Sequence, residues 1–209
     1  ETSADLTLGT NWVSFTADAD AYYSFNIIKE ASNTNNYIRA YEEKGATSSI
    51  ASDYNGLNMV LNQGQKIWLK VTASSPAASN KTDKLTAEKL GDVNSVTGTS
   101  EVQNLPVIDV AESGSSSHYA IVKFTADEDK EYTFKGTDTN IKSLYVYKDC
   151  KLSIWQASSS NVETSDGVNS CTTSCPMSTG DVVYLRINLS ASSTNLSLAV
   201  STDTEGTTP

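Results

Sequence analysis

Apolar and polar residues alternate along most of this chain, and the alternation occurs in two nearly matching series. From Val13 the sequence reads VSFTADADAYYSF, and from Val122 it reads VKFTADEDKEYTF. Each stretch is an alternating β-rich run, an acidic turn, and a second run with Tyr and Phe two residues apart. A two-residue spacing puts both rings on one face of a strand. A third run follows in each series, NYIRAYEE or IKSLYVYKD. After a looser hairpin region comes QGQKIWLKV or TGDVVYLRI, each with a turn glycine, Gly64 or Gly180. A last run reads KLTAEKL or NLSLAV. No segment carries a long helical period. Short strands separated by Gly, Asn and Asp turns predict an all-β protein of the sandwich type.

Phe15 and Phe124 are 109 residues apart, as are Tyr23 and Tyr132. In a chain of 209 residues this spacing predicts an internal duplication into two tandem domains of ordinary size. The expected division is residues 1–91, residues 92–203, and the start of a linker at 204–209. The pattern F-T-A-D-x-D-x-x-Y-x-F, then L-Y-V-Y-K-D, then G-D-V-V-Y-L-R-I resembles the bacterial pre-peptidase C-terminal domain family. The resemblance covers most of both halves, and the second half matches better. It implies two jelly-roll-like β-sandwiches of the kind attached to exported enzymes, some of whose relatives bind polymers. A non-catalytic, substrate-adhering role is what that resemblance implies.

Strict alternation sorts the side chains. Phe15, Tyr23 and Phe25, with Phe124, Tyr132 and Phe134, are expected in the two cores. In KIWLKV, Ile67, Leu69 and Val71 point inward, which turns Trp68 and Lys70 outward. In LYVYKD, Leu144 and Val146 point inward, leaving Tyr145 and Tyr147 outside. Trp12 aligns with Ile121 and reads as structural, and for Trp68 packing at an edge or between domains is favoured.

The two series differ most in one place. From Tyr41 to Gly64 is 23 residues, but from Tyr147 to Gly180 is 33. The three cysteines, Cys150, Cys171 and Cys175, fall in or beside this enlarged region. A bridge from Cys150 to Cys171 or Cys175 is expected to staple an enlarged loop, a closure worth roughly 3 kcal/mol by chain entropy. Trp155 lies in the same region, where the first series has about Ala51. As a binding residue it offers a flat apolar platform to a sugar ring, with Gln156, Ser158 and Asn161 to bond hydroxyls. As a structural residue it covers the core of its own hairpin.

Composition narrows the partners. A formal charge of −10 and only two arginines, Arg39 and Arg186, argue against nucleic acid. No stretch reaches a membrane-spanning length, so no membrane insertion is expected. Surfaces rich in Ser, Thr and Asn, with a Thr/Pro-rich tail, suit a secreted or cell-surface protein carrying further modules. The Asn-x-Ser/Thr sequons at Asn80, Asn188 and Asn195 matter only in a eukaryotic secretory pathway. Enzyme signatures are nearly absent: His118 is the single histidine, in SGSSSHYA, without a nucleophile elbow, and nothing among the 25 acidic residues selects the carboxylate pair that a glycosidase needs. Asp18, Asp20, Asp127, Glu128 and Asp129 have the oxygen chemistry for calcium but lack the helix-loop pattern, so turn formation is the expected role. No cofactor or metal is expected. The function these features point to is binding of a neutral polysaccharide, with a starch-type α-glucan favoured. The alternative is a structural spacer or protein-binding adhesin domain.

Overall fold

The computed structural model describes residues 2–7, 9–29, 37–54, 56–73, 83–112 and 115–202. The chain is all-β, and among the described residues there is no helix. It divides into two compact units, Glu1–Leu90 and Gly91–Pro209. The expected linker at 204–209 and the sequon at Asn80 lie outside the described residues.

The first unit is built from β1 (Thr2–Asp5), β2 (Gly9–Thr16), β3 (Ala21–Ile28), β4 (Tyr37–Tyr41), β5 (Ala51–Tyr54), β6 (Gly56–Leu61), β7 (Lys66–Ala73) and β8 (Lys84–Asp92). These form two four-stranded sheets, ordered β1-β8-β3-β6 and β2-β7-β4-β5. Ile38, Ala40, Ile67, Leu69 and Val71 point inward, as the alternation requires, and none is more than 1% exposed. Tyr23 and Phe25 of β3 meet Phe15 of β2 edge-on, at centroid distances of 5.2 and 5.1 Å.

The second unit contains β9 (Asn94–Thr97), β10 (Ser100–Gln103), β11 (Ile108–Glu112), β12 (Ser115–Thr125), β13 (Lys130–Thr137), β14 (Ile141–Tyr147), β15 (Trp155–Ser159), β16 (Val162–Ser165), β17 (Val168–Met177), β18 (Val182–Leu189) and β19 (Ser197–Thr202). One sheet runs β10-β19-β13-β17-β16 and the other β11-β12-β18-β14-β15, with β9 also on β12. One apolar core lies between them, with Phe124, Tyr132, Phe134, Leu144, Leu185, Ile187 and Leu198 all fully buried. Phe124 contacts Tyr132 and Phe134 at 4.9 and 5.0 Å, the same edge-on geometry as in the first unit. Strand by strand, the sheet orders correspond: β1, β8, β3, β6 to β10, β19, β13, β17, and β2, β7, β4, β5 to β12, β18, β14, β15.

The acidic turns serve the buried tyrosines. Tyr23 donates its hydroxyl to Asp18 Oδ1 at 2.5 Å, and Tyr132 donates to Asp127 Oδ1 at 2.5 Å. A phenol carried into a core needs a partner for its polar end, and the turn supplies it. Burial, helped by the aspartate, pushes both tyrosine pKa values up. Asp20 and Asp129 instead tie neighbouring turns, accepting from the backbone N–H of Gln63 at 2.7 Å and of Thr179 at 2.6 Å. Among the described residues no group of three or more His, Cys, Asp or Glu is placed to hold a metal ion.

The structure corrects the expected staple. Cys150, Cys171 and Cys175 are all free thiols. Cys171 and Cys175 stand four residues apart on β17, both buried in the core as alternation dictates. Cys171 donates its Sγ–H to Ser159 O at 3.0 Å. Cys150 lies in the turn after β14, on the other sheet. The extra residues are also not a loop but a β-hairpin, β16–β17, closed by Asp166-Gly167 between the paired Ser165 and Val168. Both turn residues have positive φ, 52° and 78°, the two-residue hairpin geometry that Asp-Gly favours.

Candidate ligand-binding face

The outer face of the β12-β18-β14-β15 sheet gathers aromatic residues from three strands. Inward positions on β14 and β18 are Leu144, Val146, Val183, Leu185 and Ile187, so Tyr145, Tyr147, Tyr184, Arg186 and Asn188 face out. The ladder registers set them in rows. Lys123 pairs with Tyr184, Tyr184 with Tyr147, and Tyr147 with Trp155. One step along, Ile121 pairs with Arg186, Arg186 with Tyr145, and Tyr145 with Ser158. Neighbouring strands are about 4.8 Å apart, so the row from Tyr184 to Trp155 spans about 10 Å.

Trp155 opens the edge strand and is 64% exposed, so it does not cover the core of its hairpin. Tyr145 and Tyr147 stack at 6.1 Å with an interplanar angle of 28°. Tyr184 sits lower in the sheet, and burial pushes its pKa up to about 12. Burial also raises Tyr147, against a smaller lowering from Arg186. Arg186 lies over the Tyr119 ring at 4.2 Å and donates from Nε to Asn188 Oδ1 at 3.0 Å, while Asn188 donates to Ser143 Oγ at 2.9 Å. This polar chain fixes the guanidinium beside the aromatic row.

The turn before Trp155 is organised by Asp149. Its carboxylate accepts from Ser153 N–H at 2.9 Å, Ile154 N–H at 2.6 Å and Ser153 Oγ–H at 2.7 Å. Lys148 N–H closes the turn on Ile154 O at 2.8 Å. Burial alone would raise the Asp149 pKa, but these donors outweigh it and hold the carboxyl below its ordinary value. Asp149 is thereby a positioning residue for Ile154 and Trp155, both exposed. A β-bulge between Val146 and Tyr147 then sets the register of Trp155 against Tyr147.

Of the residues expected at the site, Tyr145 and Tyr147 share this face, and on the adjoining edge strand Ser158 pairs with Tyr145 and Trp155 with Tyr147. Gln156 does not join them. It reaches toward Pro176 O of the other sheet, at 3.5 Å, beside a cleft of about 290 Å³ lined also by Lys148, Met177, Asp181 and Val183. Asn161 is exposed where the chain crosses from β15 to β16, its N–H bonded to Ser159 Oγ at 3.3 Å. Tyr184 and Arg186 are additions that the sequence reading passed over. The alternation in DVVYLRI that buries Val183, Leu185 and Ile187 is the signal that turns them outward.

The first unit has its own aromatic face, on β2, β7, β4 and β5. Trp68 and Lys70 face outward as expected. Trp12 is half-buried and tilted on Tyr41 at 5.2 Å, and Tyr37 meets Tyr54 edge-on at 4.6 Å. Here cations cover the rings: Lys66 and Lys44 over Trp68 at 5.0 and 5.4 Å, Lys70 over Trp12 at 5.5 Å, and Arg39 over Tyr37 at 4.4 Å.

His118 Nδ1 lies 2.6 Å from Asp109 Oδ1, and Ser192 donates its hydroxyl to Asp109 Oδ2 at 2.7 Å. The three residue types of a hydrolase triad meet here in the wrong order. The serine bonds the carboxylate rather than the imidazole, so the histidine is not placed to take its proton.

No family model and no curated protein matches the chain. Among solved structures, an isomalto-dextranase of Arthrobacter globiformis T6 complexed with panose aligns over 95% of this chain at 13% identity and a TM-score of 0.30. An anti-sigma factor domain-containing protein aligns over 93% at 13% identity and a TM-score of 0.28, covering 79% of its own length. Infectious bursal disease virus, Gx strain, gives 10% identity and a TM-score of 0.26 over 99% of this chain and 72% of its own. The chain spans about a third (35%) of the isomalto-dextranase. Likenesses this slight carry no function across.

Proposed function

We propose that this chain is a non-catalytic, exported carbohydrate-binding protein, and that the outer aromatic face of the second unit binds a neutral polysaccharide. The observation that carries the reading is the row Trp155–Tyr147–Tyr184. A strongly exposed indole opens the edge strand opposite Tyr147, which pairs in turn with Tyr184 on the next strand, while Ser158 and Arg186 pair with Tyr145 one step along. A sugar ring presents an apolar C–H face and an equatorial rim of hydroxyls. Flat rings with flanking donors and acceptors complement both. The row is short, which suits a few residues of one glucan chain, and a starch-type α-glucan is the substrate class proposed. The triad-like group at His118 is ordered for hydrogen bonding rather than for nucleophilic attack, which supports a role without catalysis.

The test is titration with maltooligosaccharides, followed by intrinsic fluorescence and calorimetry. Trp155 is the single tryptophan of the second unit, so the part of the signal lost in Trp155→Ala belongs to that face. Ring stacking is worth about 1–3 kcal/mol on the scale measured for bases. Trp155→Ala therefore weakens binding about tenfold or more. Trp68→Ala, on the other unit, weakens it much less. Parent-like affinity in Trp155→Ala places the site elsewhere. If the parent binds no glycan, the spacer or protein-binding reading takes over, which the exposed Ile154 beside Trp155 on an edge strand favours.

A further inference from the structure

The two units differ at one sandwich edge. In the second unit both halves of the outer edge of β12 are paired, with β11 along Ser115–Tyr119 and β9 along Val122–Thr125. β9 runs parallel to β12, with Val96 opposite Phe124 and packed into the core at 7% exposure. Gly98 closes the strand, donating its N–H to Thr125 O at 3.1 Å. It has a φ of 65° and lies so near the Asp127 carboxylate that a Cβ would meet it at 2.2 Å. Under this strand Val122 and Phe124 are completely buried.

In the first unit the matching strand is β2, which pairs with β7 on one side. Among the described residues its other side carries no strand, so β2 is an edge. Val13 and Phe15, which correspond to Val122 and Phe124, are only half-buried. A groove of about 130 Å³ opens between β1 and β2, lined by Ala4, Val13, Phe15, Leu69, Leu85 and Ala87. The registers Ala4↔Leu85 and Val13↔Leu69 match Val102↔Leu198 and Val122↔Leu185, so this groove is the place that Val96 fills in the second unit. Ala4 and Ala87 are smaller than their counterparts Val102 and Val200, which leaves room for a side chain larger than valine. The Asn11 side chain ties up the start of the strand through Thr7 and Gly9, and among the described residues no strand pairs with Val13–Thr16 on this side. The turn beyond holds Asp18 on Tyr23, as Asp127 sits on Tyr132.

We propose that the Val13–Thr16 edge of β2 is a docking groove for an extended strand that enters the first unit ahead of β1, laid parallel to β2 as β9 is on β12. The occupant places an aliphatic side chain over Phe15 and a glycine against Asp18. Main-chain hydrogen bonds hold it, and one buried side chain sets its register. A half-buried phenylalanine beside unpaired strand amides is the kind of edge that natural sheets cover.

In the second unit Asn94 precedes Ser100 by six residues, and Ser100 corresponds to Thr2 through Ser100↔Val200 and Thr2↔Ala87. The six-residue sequence Val-Asn-Ser-Val-Thr-Gly, added directly ahead of Glu1 in the 209-residue chain, therefore lies in register with β2. Three forms are compared: this graft, one with leucine in place of its second valine, and one with aspartate there. The valine and leucine grafts slow amide exchange across Val13–Thr16 by on the order of tenfold or more. They also raise the melting temperature of the first unit by about 4 °C or more. The aspartate graft does neither, because it would bury a charge in an apolar groove. Exchange at the parent rate in the valine and leucine grafts, or equal protection from all three, overturns the proposal. The outcome is independent of glycan binding, which concerns the other unit.

Discussion

Replacing Asp149 with alanine removes three hydrogen bonds from one turn and leaves the strands around it unchanged. The carboxylate accepts from two backbone amides and one hydroxyl, all at 2.9 Å or less. Bonds to a charged group contribute about 1.5–3 kcal/mol where they are buried. Asp149 is only partly shielded from water, so screening reduces the total to about 1–2 kcal/mol. That loss speeds opening of the turn about 5- to 30-fold. The assay is hydrogen exchange at the Ile154 amide, expressed as the ratio of Asp149→Ala to parent. Asp149→Asn keeps an oxygen for the two amides and gives an intermediate ratio. The sign with pH follows from the lowered carboxyl pKa. The stabilisation is complete above the unfolded value of about 3.9 and is lost as pH falls through the still lower folded value. The ratio should hold at pH 6 and collapse only below about pH 4. A ratio near one at pH 6 would refute the role of Asp149 in the turn. A collapse well above pH 5 would refute the depressed carboxyl.

Tyr132→Phe strips the hydroxyl that bonds Asp127 and receives the N–H groups of Asp127 and Glu128; thermal melts should show a loss of about 1–2 kcal/mol, with a comparable loss for Tyr23→Phe. The three thiols should react slowly with iodoacetamide in the native protein at neutral pH and fully after unfolding. Cys171 and Cys175 are buried, and burial pushes the thiols of Cys150 and Cys175 up to about 11; mass spectrometry that finds a Cys150–Cys175 or Cys150–Cys171 bridge would contradict the free-thiol arrangement. Residues 91–202 expressed alone should give a cooperative β-sheet melt, because the Phe124–Tyr132–Phe134 core is complete within them; a random-coil spectrum would count against independent folding.

The strands that the sequence made legible are those whose two faces see different surroundings. Ile67, Leu69 and Val71 alternate with Trp68 and Lys70 because one side of β7 meets a core and the other meets solvent. The short strands β9, β11 and β16 carried no such signal. Asn94–Thr97 and Val162–Ser165 have four residues each, and β16 is exposed along its whole length. Their existence depends on an edge to pair with, which is a property of the tertiary structure. The cysteines misled for a related reason. Spacing along the chain gave Cys150 and Cys171 a plausible loop, but the added residues pair with each other through Asp166-Gly167 and carry Cys171 and Cys175 inward on β17. At the candidate face, alternation was enough to turn Tyr145 and Tyr147 out. Gln156 could not be placed in this way, because the bulge at Val146/Tyr147 breaks the two-residue period just where it begins.

The same sheet presents aromatic rings in both units, but the chemistry offered to a ligand differs. In the first unit an ammonium or guanidinium stands 4.4–5.5 Å from the rings of Tyr37, Trp12 and Trp68. A cation over a ring is held by the negative π-face, and it occupies the surface on which a sugar would lie. Displacing it costs part of what stacking would return, about 0.5–1 kcal/mol for each exposed pair. In the second unit the arginine is drawn aside onto Tyr119 and Asn188, and Trp155 projects with 64% of its surface exposed. That indole stands open beside a turn organised by a charged carboxylate, with no cation laid over it among the ring contacts of the described residues. The better candidate for a neutral ligand is therefore the unit with one tryptophan, not the unit with two.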